Sequence, residues 1–113
     1  MLEDRLGRFF LAMLFAAGAV QKLIDPDIAL GLLEMRGWPL WLIWPAILLN
    51  FVGAICLLVS YQLRIVALLL AAYCAVTSWF HFLPDDGWQM SIFIKNWAIA
   101  GGLLILAGSR RTR

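Results

Sequence analysis

The sequence predicts an all-α, polytopic membrane protein: an antiparallel bundle of four transmembrane helices, with a short interfacial helix between the first and second spans. Three observations predict it. Of 113 residues, 64% are hydrophobic and 14% charged, with a mean hydropathy of +0.88, which leaves too little polar surface for a water-soluble domain of this size. The apolar residues gather into four runs, about 7–23, 40–60, 64–82 and 91–107, each close to the roughly 20 residues that cross a bilayer. Turn-forming and charged residues collect between those runs. The length allows one domain, residues 1–113. A net charge of +2 without a long basic run excludes a nucleic-acid partner as the main reading.

The first span follows a mixed-charge start, Glu3, Asp4, Arg5 and Arg8. A signal peptide is the rival reading, since Ala17-Gly18-Ala19 resembles a cleavage site. The acids in the charged region count against it, and a retained helix is expected. Asp25-Pro26 ends this span and opens a shorter helix, with Asp25 as the cap and Pro26 at the first helical position. Residues 27–36 are too few to span, so they are expected to lie at the interface over the bundle. Gly37 stops that helix. Trp38, Trp41 and Trp44 then recur every third residue. An aromatic belt at the headgroup boundary explains them; a ligand-stacking box is the alternative.

The second span is expected to begin near Pro39, because a start after Pro45 leaves too short a run, with a bend or irregular turn at Pro45. Asn50 lies near its middle, with Ala46, Gly53 and Ala54 on the same face. A mid-membrane amide must be satisfied, so Asn50 is expected to face inward, either as packing glue between helices or as a ligand contact. Tyr61-Gln62-Leu63 is a tight connection that makes the second and third spans antiparallel neighbours. In the third span Ala67, Ala71, Ala75 and Ser78 share one face, and His81 closes the run before the turn Leu83-Pro84-Asp85-Asp86-Gly87.

In the fourth span Ser91, Lys95, Ala98 and Gly102 share a helical face. Its small residues, with Gly101, predict the closest helix contact of the bundle. Lys95, roughly 6 Å into the span at 1.5 Å per residue, either snorkels or pairs with Asp85 or Asp86. Six cations (Arg5, Arg8, Arg64, Arg110, Arg111 and Arg113) flank one side of the membrane, against Lys22, Arg36 and Lys95 on the other. That asymmetry predicts that both termini lie in the cytoplasm.

This topology gathers Lys22, His81 and Lys95 near the outer leaflet, with Asn50 deeper. These four residues are the candidate ligand set, for a quinone ring whose carbonyls accept hydrogen bonds or for a lipid headgroup. A lone histidine leaves no second axial ligand for a bis-His haem, and neither a metal-ligand cluster nor a serine triad is present. Cys56 and Cys74 have 17 residues between them, so there is no CxxC redox motif. Their depths differ by about 10 Å, more than the roughly 7 Å a disulfide tolerates between Cα atoms. No covalent cofactor or metal is expected.

Several stretches together resemble the DoxX family of small four-helix membrane proteins. They are RLGRFFLAMLFAAGAVQK at 5–22 with its Gly18-x-x-x-Lys22, GWP at 37–39, Arg64 opening the third span, His81 closing it, and FIKNWAIAGGLL at 93–104, which is the most specific of them. The resemblance implies an association with quinone-linked or redox-stress complexes, in which the chain meets lipids and larger membrane subunits as a structural or quinone-handling accessory component. A quinone-linked oxidoreductase in its own right, with a shallow outer-leaflet headgroup site, is the alternative. One departure matters. The family pattern implies an acid in the second span where this chain has Asn50, so any proton chemistry carried by that acid has no carboxylate here.

Overall fold

The computed structural model describes residues 2–109, and all the regular structure among them is helical. Five α-helices run in order: α1 (Leu2–Ile24), α2 (Asp27–Met35), α3 (Ile43–Val59), α4 (Leu63–Ser78) and α5 (Gly87–Gly108). Short 3-10 turns, Leu40–Leu42 and Trp79–His81, lead into α3 and out of α4. Four segments are long and apolar enough to cross a membrane: Leu2–Ile24, Leu40–Val59, Leu63–His81 and Gly87–Gly108. The chain is therefore a polytopic helical membrane protein. The expected charges Arg110, Arg111 and Arg113 lie outside the described residues.

The chain forms two compact units, residues 1–62 and 63–113. In the first, α1 and α3 run antiparallel and α2 covers one end. Ala19 of α1 and Ile43 and Ile47 of α3 are buried together, and Ala29, Leu30 and Leu33 of α2 pack on them. At the other end Arg8 joins the two long helices. Its Nη1 donates to the Leu57 carbonyl at 2.7 Å and to the Ser60 hydroxyl at 2.8 Å, while its Nε donates to Asp4 at 2.9 Å. α3 ends there because Ser60 turns left-handed (φ 63°), which lets the Tyr61 N–H reach the Cys56 carbonyl at 3.0 Å. Arg8 thus binds a carbonyl that the helix end leaves without an intrahelical donor.

Helix boundaries differ from the sequence expectation in instructive ways. Asp25 does not cap α2. Its own N–H still donates to Gln21 at 2.8 Å, and Pro26 holds the cap position without a side-chain bond. Pro26 has the helical φ of −75° already, so the chain passes from α1 to α2 with little interruption. Gly37 does stop α2: at φ +73° it allows the Gly37 and Trp38 N–H groups to reach Glu34 and Leu33, each at 3.0 Å. The irregular turn expected at Pro45 comes a few residues earlier, at Leu40–Leu42. Pro45 is the third residue of α3, where a missing N–H costs nothing.

In the second unit α4 and α5 are antiparallel, and Arg64 Nη1 donates to the Ala107 carbonyl at 3.3 Å. Each unit therefore has an arginine early in one helix reaching a carbonyl late in its partner. α5 begins at Gly87, four residues before the expected start of the span, because Asp86 accepts from the Trp88 and Gln89 N–H groups at 3.0 and 3.2 Å. The buried positions on α5 are Ala100, Leu103, Leu106 and Ala107, and those on α4 include Ala67, Ala71 and Ser78.

Candidate functional site

Lys22 lies in the last turn of α1 and is half-buried. Cα–Cβ bonds tilt toward a helix N-terminus, so a lysine near the C-terminal end reaches back along the helix. Lys22 does so. Its Nζ is 3.7 Å from where a Cβ on Gly18 would stand, one turn earlier. The Nδ2 of Asn50, on α3, is 3.6 Å from the same point. Asn50 is 2% exposed, so its amide sits at depth. Two nitrogen donors from two helices thus meet over a bare Cα.

A cleft of about 340 Å³ lies where α1 ends and α3 begins, with Lys22, but not Gly18 or Asn50, in its wall. That volume is in the range of small-molecule sites. Leu30, Ile43 and Ile47 provide the apolar lining, and Trp41 and Trp44 flank it. Pro26 contributes too, so the tight passage from α1 to α2 shapes one side. The arrangement suits an amphiphile with an acceptor oxygen at one end and an apolar body. Among the described residues no cluster of His, Cys, Asp and Glu is able to hold a metal.

Of the four ligand residues expected from sequence, Lys22 and Asn50 are brought together. His81 and Lys95 belong to the second unit. His81 closes the 3-10 turn after α4, and its Nδ1 is 2.6 Å from Gln89 Oε1, so that nitrogen carries the proton and donates. Lys95 is exposed on α5. It forms no ion pair with Asp85 or Asp86 among the described residues; Asp86 is engaged in capping α5. With α5 starting at Gly87, Lys95 is eight residues into the helix, about 12 Å along its axis rather than 6 Å.

The residues expected at helix contacts differ in burial. Gly53 is buried on α3. Ala98 is exposed, and a Cβ added at Gly101 or Gly102 would meet nothing within 4 Å. The buried stripe of α5 runs through Ala100, Leu103, Leu106 and Ala107. Trp41 and Trp44 line the cleft, while Trp38 does not. Sequence reasoning recorded Gly18 without giving it a role, although the four-residue spacing to Lys22 carried the signal. It used Arg8 only as a topological charge, although its four-residue spacing from Asp4 marks a helix pair.

Four membrane-length helices define a class: small polytopic proteins of the bilayer. The DoxX family model matches residues 4–83, and the chain belongs to that family. It is 30% identical over 110 residues to the inner membrane protein YqjF of Escherichia coli (strain K12), covering 94% of this chain and 85% of that protein. No solved structure matches it. The family match includes Gly18, Lys22, Asn50 and the whole cleft. It stops before FIKNWAIAGGLL, so the stretch read as the most specific mark of the family lies beyond the matched residues.

Proposed function

We propose that the chain is an accessory subunit of the bacterial inner membrane, with both termini cytoplasmic, which docks on a larger redox complex and handles its quinone. The observation that carries this reading is the cleft at the end of α1, where an apolar wall meets the inward-turned Lys22. A quinone needs both surfaces: donors for its ring carbonyls and hydrocarbon for the rest. Lys22 and Asn50 would hold the head, with Trp41 and Trp44 beside it, and the quinone supplies the electron-carrying chemistry. The chain's own residues bind and orient it. The many large apolar side chains left exposed, such as Trp88 and Ile105, support contact with lipid and with neighbouring subunits.

Purification of the full chain in mild detergent tests this directly. The expected result is a stoichiometric complex with larger membrane subunits that carries extractable quinone. Isolation of the chain only as itself, free of quinone, would contradict the reading.

A further inference from the structure

We infer that Gly18 is the seat of the ligand's acceptor oxygen, a ring carbonyl approaching the bare Cα and accepting from the Lys22 ammonium and the Asn50 amide. The inference rests on the quinone reading above and adds the atoms that select the ligand. Three observations carry it. First, the donors converge: a side chain at position 18 would begin 3.6 Å from Asn50 Nδ2 and 3.7 Å from Lys22 Nζ, and glycine leaves that space open. Second, Lys22 has no carboxylate partner among the described residues, and Asp25 and Asp27, the acids nearest in sequence, are exposed. A cation facing inward without an acid favours an oxygen brought by the ligand.

Third, depth separates a carbonyl from a phosphate. Gly18 precedes the end of α1 by six residues, about 9 Å, and Asn50 follows the start of α3 by seven, about 10 Å. A phospholipid seated there would have to carry its phosphate charge below the headgroup layer, whereas a neutral carbonyl incurs no such cost. The cleft beside Lys22 then receives the apolar body of the ligand. Glycine at 18 is the selective feature, since even a methyl group fills the space between the donors.

Gly18→Ala is a gentle test, because its Cβ would stand at ordinary van der Waals distance from both nitrogens and alanine favours the helix. The full chain is reconstituted in nanodiscs of phosphatidylethanolamine and titrated with decylubiquinone, reading tryptophan quenching, with thermal unfolding as the control for folding. Wild type is expected to quench saturably. Gly18→Ala and Lys22→Met are each expected to melt as wild type and to bind about tenfold more weakly or worse, the loss of a hydrogen bond to a charged or buried donor. Wild-type affinity in both variants would overturn the Gly18 seat and leave the quinone reading standing. Absence of saturable quenching in wild type would overturn the quinone reading itself. Competition by phosphatidylglycerol at equal mole fraction would assign the notch to a phosphate and overturn the carbonyl.

Discussion

Lys22 and Lys95 are the two lysines of the chain, and they occupy opposite phases of their helices. Lys22 is at the C-terminal end of α1, so its side chain leans back along the span; Lys95 is in the N-terminal half of α5, so the same tilt leans it toward the helix start and the water beyond. Snorkelling therefore accounts for Lys95 and not for Lys22. Lys95→Gln is expected to leave decylubiquinone affinity within about twofold, where Lys22→Met lowers it about tenfold; equal losses in the two variants would remove the distinction. Arg8 makes a separate prediction. It supplies charge-assisted bonds to Leu57 and Ser60 at the far end of the first unit. Arg8→Met should destabilise the protein by about 2 kcal/mol in a denaturing-detergent titration. A variant as stable as wild type would show that the α3 terminus does not depend on it.

At the scale of elements, glycines divide by conformation rather than by spacing. Gly37 ends α2 at φ +73° in open space, so its requirement is purely conformational. Gly37→Ala should cost about 1 kcal/mol and speed hydrogen exchange in α2; unchanged exchange would mean that the helix end relaxes freely. Gly101 and Gly102 have helical backbone and nothing within 4 Å of an added Cβ. Gly102→Ala is accordingly expected to leave the stability of the isolated chain unchanged or slightly raised; a loss of stability would support the close helix contact that the Ser91–Lys95–Ala98 spacing suggested. The helices themselves were legible in the sequence, because a run of about 20 apolar residues has few other fates. Their ends were less so. Asp25 and Asp86 both precede a residue suited to start a helix, yet only Asp86 accepts backbone N–H groups, and only the backbone at Pro26 shows why Asp25 does not.

At the scale of the whole chain, composition was enough for class, and the family match covers the stretch that holds Gly18, Lys22 and His81. The candidate site was legible by half. Lys22 and Asn50 are polar groups in apolar runs, which marks them in any sequence. What composition hides is direction: the four-residue step from Gly18 to Lys22 gives the reach, but the pairing of α1 with α3 is what brings Asn50 to the same point. The cleft was illegible for a similar reason, since Leu30, Ile43 and Ile47 are ordinary core residues until α2 folds over them.

The central claim is that a quinone binds at the cleft formed by α1, α2 and α3. Photolabelling of the full chain in native membranes with an azido-quinone, followed by mapping of the modified peptides, tests it most directly. The label is expected on the segments that carry Lys22, Leu30, Trp41 and Trp44, and to disappear when excess unlabelled quinone is added. Label spread along α4 and α5, or label that excess quinone does not displace, would contradict the account.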